Sequence, residues 1–395
     1  MMTFSMRFRR TAPVVLLLFG FAAALPYVAF AQSTQAPAQQ QKPADDSAGP
    51  DTDSGPIVLK KKKEGEDANT PPPAPAAPAE PKIKNPNNET YSIRVDVPIV
   101  NLDVNVILDK THQFVPGLKA GNFQVLEDGV PQTITSVRMA QTPITAVMLL
   151  EFAANSYYFI RDMQNASYSF FNTLKPDDYI AVITYDLKTH ILTDFTNNKQ
   201  VVGDAISSLM IPGFSDTNLF DALYETLDRL SRIEGRKYIV LIGTGRDTFS
   251  RITLDKILAK VKATPNVTIF TIGTGALVRE LADSRGMMGP VTRLDYLQAE
   301  NQMKTFAQMT GGLSFNPMFQ GALPDIFSQI NDSIRNEYVL TYRPTNNKND
   351  GTYRRIQVKL VDNEGHPLQM QDEKHKPLKY SVIARDGYRA KQEVE

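Results

Sequence analysis

The chain contains no cysteine and no tryptophan, and only four histidines in 395 residues. Without cysteine there can be no disulfide, no thiolate metal site, no cysteine nucleophile and no lipid-modified cysteine near the N-terminus. His112, His190, His366 and His375 each stand far along the chain from any second ligand or base at a meaningful spacing. H-E-x-x-H, G-x-S-x-G, P-loop and G-x-G-x-x-G patterns are all missing. Gly273-Thr274-Gly275 reads only as a strand-to-loop turn. Net charge is missing too: 43 basic residues meet 43 acidic ones. Nothing global therefore argues for nucleic acid or an anionic membrane as partner. These absences predict a protein that is not an enzyme and has no cofactor.

The N-terminus reads as a signal peptide over 1–31. Arg7, Arg9 and Arg10 precede the apolar run Val14–Leu25, which is too short to span a bilayer. Ala29-Phe30-Ala31 supplies the small-residue cleavage box. The alternative is a short uncleaved anchor. No later apolar stretch approaches the length of about 18 residues that a membrane span needs. After cleavage no integral membrane segment is expected, and the mature chain is placed in the periplasm or outside the cell. Residues 32–90 are rich in Pro, Ala, Gln, Asp and Lys and poor in large apolar residues. Burial could not recover the entropy of ordering them, so they read as a disordered, semi-extended linker. The run Lys60–Lys63 is offset at once by Glu64, Glu66 and Asp67.

From residue 91 to 141 the hydropathy alternates with period two, through Ile93, Val95, Val97 and Ile99 and then Leu102, Val104 and Val106. These are half-buried strands. Asp128-Gly129 after Phe123–Glu127 is a hairpin signal, and Ile134–Met139 reads as a further strand. Over 142–335 strands and helices alternate. Ile144–Leu150, Tyr179–Tyr185, Lys237–Ile242 and Val267–Ile272 are continuous apolar runs, as strands buried on both faces must be. His190–Phe195 reads as an edge strand and Leu313–Asn316 as a short last strand. Helices are predicted near 198–209, 218–232, 253–263 and 322–335, with others after Ile160 and before Thr310-Gly311-Gly312. The expected fold class is α/β: a doubly wound, mostly parallel sheet with helices on both faces. Strand candidates return over 336–390. The two β segments are expected to form one β-sandwich into which the α/β domain is inserted.

In open α/β sheets ligands bind at the carboxyl ends of the strands, where chain order reverses. Three loops are expected there: Glu151-Phe152-Ala153-Ala154-Asn155, Gly213-Phe214-Ser215-Asp216-Thr217-Asn218, and Gly243-Thr244-Gly245-Arg246-Asp247. The segment 276–299, including Arg285-Gly286-Met287-Met288-Gly289-Pro290, reads as an adaptable binding loop beside them.

At these loops region 142–335 resembles a von Willebrand factor A domain. The flanks resemble the related family described from Acidobacteria, through Val115-Pro116-Gly117-Leu118, Glu127-Asp128-Gly129-Val130-Pro131-Gln132, Gly351-Thr352-Tyr353-Arg354-Arg355 and Arg385-Asp386-Gly387-Tyr388. The resemblance implies a metal-ion-dependent adhesion site, with D-x-S-x-S in the first loop, Thr in the second and Asp in the third, together holding Mg²⁺. Here Glu151 stands for the Asp, Ala153 and Asn155 for the two Ser, and Thr244 for the third-loop Asp, while Thr217 matches. Ala153 cannot ligate, Thr244 brings no charge, and Mg²⁺ tolerates little geometric error. The expected corner therefore keeps its architecture without the ion. Glu151, Asn155, Thr217 and Asp247 are the candidate ligand-binding residues. Thr217 doubles as a candidate helix N-cap, and Glu151 as a carboxylate held by backbone N–H groups. The functional expectation is an exported interaction or adhesion module that meets a protein partner through this face. The alternatives are a structural cell-envelope scaffold, or a Mg²⁺-dependent adhesion domain if the altered site still binds.

Overall fold

The computed structural model describes residues 98–154, 160–286 and 288–392, all within one compact unit, Glu89–Glu395. The expected signal peptide, the linker, residues 91–97 and Asn155 lie outside the described residues.

The first strands are β1 (Val100–Leu108), β2 (Phe123–Glu127), β3 (Val130–Gln132) and β4 (Ile134–Met139). The β2–β3 turn is Asp128-Gly129, with φ of 48° and 86°. Two consecutive positive φ values make the tight hairpin that a right-twisted ribbon prefers. The α/β part follows as β5 (Thr145–Glu151), α1 (Ile160–Asn172), β6 (Tyr179–Tyr185), β7 (Thr189–Thr196), α2 (Lys199–Ser207), α3 (Leu219–Ser231), β8 (Lys237–Gly243), α4 (Leu254–Ala263), β9 (Val267–Gly273), α5 (Gly275–Ser284), α6 (Pro290–Thr310), β10 (Ser314–Phe315) and α7 (Leu323–Arg335). The chain then returns to β structure as β11 (Tyr338–Tyr342), β12 (Tyr353–Leu360), β13 (Met370–Gln371), β14 (Pro377–Leu378), β15 (Tyr380–Ala384) and β16 (Gly387–Arg389).

The central sheet has the order β10-β9-β8-β5-β6-β7, parallel except for β7, which returns antiparallel to β6. Alternate residues of β5 point to opposite faces. Ala146, Met148 and Leu150 pack against α1, α2 and α7. Val147 and Leu149 pack against α3, α4 and α6. That is why each central strand reads as an unbroken apolar run. The order reverses between β5 and β8, which makes the carboxyl ends of those two strands the switch point of the sheet.

The two outer β segments pair with each other. β1 lies between β11 and β15, β11 also pairs with β4, and β2 pairs with β12. Two four-stranded sheets result, β15-β1-β11-β4 and β16-β12-β2-β3. Leu102, Val104, Phe123, Val125, Leu340 and Ile356 share one core between them. The α/β domain is thus inserted between β4 and β11, with its two ends joined by the Ala140 N–H donating to the Glu337 carbonyl at 2.8 Å.

One expectation is corrected. Segment 276–299 is not a loop: α5, up to Ser284, and the first half of α6, from Pro290, occupy most of it. Pro290 opens α6 at a position where a missing N–H costs nothing. The buried face of α6 is Tyr296, Ala299, Met303, Phe306 and Thr310, a helical spacing whose first members include a small residue and a polar-tipped ring. Val291, Leu294 and Leu297 lie on the exposed side and blur the periodicity. Gly311, at φ 80°, ends the helix in a left-handed C-cap.

Leu340 is fully buried where both sheets of the sandwich meet. Leu340→Ala is expected to lower unfolding free energy by about 2–5 kcal/mol, measured by urea denaturation; a change below about 1 kcal/mol would mean that no shared core holds the two β segments together.

Candidate functional site

The switch point is closed where three adjacent strand ends meet. Glu151 ends β5, Tyr185 ends β6 and Gly243 ends β8, all on the sheet face that packs against α3 and α6. Glu151 is fully buried. Its carboxylate leans across to the loop after β8 and accepts from the Thr244 backbone N–H at 2.6 Å and from the Thr244 hydroxyl at 2.8 Å. The lean is possible because Gly243 has no side chain. A Cβ at Gly243 would sit 2.5 Å from the Tyr185 hydroxyl and 2.6 Å from a Glu151 carboxylate oxygen. Burial is the main cause that pushes the Glu151 carboxyl from 4.5 up to about 7, against the opposing pull of the Thr244 hydrogen bonds and the Arg246 charge. Tyr185, also fully buried, is held well above its usual range, first by burial and then by the charges of Glu151 and Asp247.

Around this pair the three loops are tied together by hydrogen bonds. The Ala154 N–H donates to the Phe214 carbonyl at 2.7 Å, joining the first loop to the second. Thr217 is buried, and its hydroxyl donates to the Arg246 carbonyl at 2.7 Å. The Thr217 carbonyl accepts from the N–H groups of Thr248 and Phe249. Thr217 is therefore not the helix N-cap; Asn218 holds that position in α3, and its side chain makes no capping bond. The free N–H groups of α3 are met from the third loop instead: Phe220 N–H by the Asp247 carboxylate at 3.1 Å and Asp221 N–H by the Ser250 hydroxyl at 3.1 Å. A carboxylate at a helix N-terminus is stabilised there by unsatisfied donors and the helix dipole. Burial raises the Asp247 carboxyl, while the Ser250 and Phe220 bonds oppose the rise. Asp216 accepts from the Thr248 hydroxyl at 3.1 Å.

Of the residues predicted from sequence, Glu151 meets Thr244, Thr217 joins Arg246 and Thr248, and Asp247 serves α3. Asn155 lies outside the described residues. Gly243 was expected in the third loop and Tyr185 at the end of a strand, but neither was assigned a role at the corner. Their signal was an aromatic hydroxyl ending the otherwise aliphatic run of β6, and a glycine at the last position of β8. Beside the corner, a cleft of about 350 Å³ opens between the third loop and α6, lined by Arg246, Asp247, Thr248, Asp295 and Gln298. Among the described residues no group of three or more acidic or histidine side chains is placed to hold a metal ion.

Between pH 4.5 and about 7 the folded protein keeps a proton on Glu151 that the unfolded chain has released. The fold therefore loses stability as pH rises through that window, by on the order of 3 kcal/mol in all. Glu151→Gln removes the titration, so its stability relative to the parent is expected to rise between about pH 5 and about pH 8 in denaturant unfolding. Identical pH dependences of the two proteins would show that the buried carboxyl does not hold the proton. Gly243→Ala forces a Cβ into the Tyr185–Glu151 contact and should lower the melting temperature by several degrees, as overpacking of about 1–3 kcal/mol implies; an unchanged value would mean that the corner is loosely packed.

Residues 155–307 match the family model of the von Willebrand factor type A domain. No protein of curated function matches the sequence. Among solved structures the chain is similar to a von Willebrand factor type A protein from Catenulispora acidiphila, at 11% identity and TM-score 0.40, over 74% of this chain and 75% of that one. It is similar to the vWF domain of the type V pili tip protein Mfa5 from Porphyromonas gingivalis, at 13% identity and TM-score 0.36, over 49% and 96%. It is also similar to the PilB minor pilin from Streptococcus sanguinis, at 12% identity and TM-score 0.37, over 50% of this chain and 62% of the pilin's length. The family match lies within the α/β insert, from α1 through most of α6, and contains four of the six strands of its mostly parallel sheet, β6 to β9. The α/β insert of this protein carries a von Willebrand factor type A domain.

Proposed function

We propose that this is an exported, non-enzymatic protein-interaction module of the adhesion type, which meets its protein partner through the carboxyl-end face of the α/β sheet without a bound metal. The observation that carries the reading is where the exposed apolar side chains fall. Nine large apolar residues among those described are more than half exposed, and eight of them lie in segments that the topology delivers to that one end of the sheet. Met210, Ile211 and Phe214 precede α3, Phe249 follows β8, and Met318 and Phe319 follow β10. Val291 and Leu294 open α6, which runs back down toward the start of β10. Exposed apolar residues gathered at one face mark a contact surface rather than scattered surface residues.

The chemistry of the corner supports the metal-free part. A small hard cation takes ionised oxygens in a nearly fixed geometry. Here Ala153 offers no side-chain oxygen, the Thr217 hydroxyl is committed to the Arg246 carbonyl, and Asp247 is committed to α3. Glu151 faces Thr244 and is held toward its neutral form, which competes with metal binding. The N-terminal run Val14–Leu25 with Ala29-Phe30-Ala31 supports export. No helix of the described residues is long and apolar enough to cross a membrane.

A photo-crosslinking residue at Phe214 or Phe249, in the native host, is expected to give a discrete protein adduct that survives EDTA. The same probe at Tyr224, on the outer side of α3, should give none. Adducts abolished by EDTA would overturn the metal-free reading, and equal adducts from both faces would overturn the assignment of the surface.

A further inference from the structure

At the opposite end of the parallel sheet a cavity of about 610 Å³ lies between the α4–β9 turn and the sandwich. Six of the sixteen residues lining it are cationic: Lys262, Lys348, Arg354, Arg385, Arg389 and Lys391. None is Asp or Glu. In a chain with equal numbers of basic and acidic residues, this is a local separation of charge that the sequence does not advertise. The cations come from the end of α4, the loop before β12, β12 itself, the residue after β15, and β16 with the residue two beyond it.

The pocket is built, not a set of waving surface lysines. Arg354 is one of the largest fully buried side chains; its terminal nitrogens donate to the carbonyls of Asn346 and Lys348, and its Nε has no partner. Arg354 has Glu127 within ion-pair reach at 3.4 Å. Lys262, Lys348, Arg385 and Arg389 form no salt bridge among the described residues; Lys262 lies over the Tyr353 ring and Arg389 donates to the Gly351 carbonyl. Arg385 is desolvated enough that burial lowers its affinity for its proton. The charges of Asp103 and Asp386 oppose that effect, while Asp103 also lies near Arg236 at 3.8 Å and Asp386 accepts from the Tyr353 hydroxyl at 2.5 Å.

Cations gathered against low-dielectric walls repel one another and focus a positive potential, which an anion relieves. Guanidinium groups present paired donors that match phosphate oxygens, and Lys adds point charges. The cavity lies within the roughly 300–1,000 Å³ range of small-molecule sites. Its remaining wall includes Pro98, Ile99, Ala263 and Pro265, which suits an organic body. Arg354 is already met by Glu127, but Lys262, Lys348 and Arg389 form no salt bridge among the described residues, and a single negative charge would offset only one of these three. We propose that this pocket binds a small organic molecule carrying two or more phosphate groups, a site separate from the interaction face.

Inorganic tripolyphosphate titrated into the mature full-length protein by calorimetry, at about 50 mM salt, tests the assignment. The expected result is saturable binding at one site per chain, weakened at least roughly tenfold, about 1.4 kcal/mol, in Lys262→Glu and in Arg389→Glu. Both substitutions are at exposed positions, so folding is preserved even if Arg385→Gln, a third variant, is unstable. No binding by the parent protein overturns the proposal. Equal affinity in Lys262→Glu and Arg389→Glu overturns it as well, because the anion would then sit elsewhere. Binding to phosphatidylglycerol vesicles without binding to tripolyphosphate overturns it in favour of a membrane surface.

Discussion

The pairing of β4 with β11 is the constraint on which the rest of the architecture depends. These strands are neighbours in space and are separated in sequence by the whole α/β domain. An inserted domain can occupy such a place only if its own ends meet. Here they do, in the Ala140–Glu337 backbone hydrogen bond. Side chains reinforce the junction. Arg236, the residue before β8, pairs with Glu337, which also accepts from the Tyr238 hydroxyl at 3.1 Å. The Asn105 amide on β1 donates to the Ser333 carbonyl of α7. Buried polar groups generally find partners, and these contacts tie the two parts together, although Asn105 Oδ1 and Arg236 Nε have no hydrogen-bond partner.

From that fixed base, the parallel sheet delivers its carboxyl ends to the far side, where the corner differs from an open ligand crevice. Strand order reverses between β5 and β8, the place where an α/β sheet ordinarily leaves room. Here Glu151 crosses that gap and takes both donors of Thr244. Gly243 is the geometric condition for it, and Tyr185 walls it in. The second and third loops are then bound to each other through Thr217, Asp247 and Ser250. Their polar atoms are turned inward on neighbouring loops, which leaves apolar side chains such as Phe214 and Phe249 outward.

Much of this was legible in the sequence because the central strands are buried on both faces and write themselves as apolar runs. The stretches Tyr179–Tyr185 and Val267–Gly273 need no context to be recognised. The start of α6 was not legible, since Val291, Leu294 and Leu297 face outward and obscure the buried stripe. Strand partnership was visible only as an expectation, because Val104 meets Tyr338 and Val125 meets Val358 across more than two hundred residues. At the corner, Glu151, Thr217 and Thr244 could be found by resemblance. The partner that each side chain takes could not. That the Thr217 hydroxyl donates to the Arg246 carbonyl, 29 residues along the chain, is visible only in the folded backbone. The basic pocket was invisible for a similar reason: its cations are scattered between Lys262 and Lys391, and each is ordinary where it stands in the chain.

The adjacency of β4 and β11 has a mechanical meaning. The described chain enters through β1 and leaves through β16, and both strands belong to the sandwich. Tension applied along the polypeptide from these two ends runs through the sandwich core, while the inserted domain hangs from two neighbouring points and lies outside the line of force. A chain built this way can be pulled while the inserted α/β domain keeps its shape, until the sandwich itself gives way.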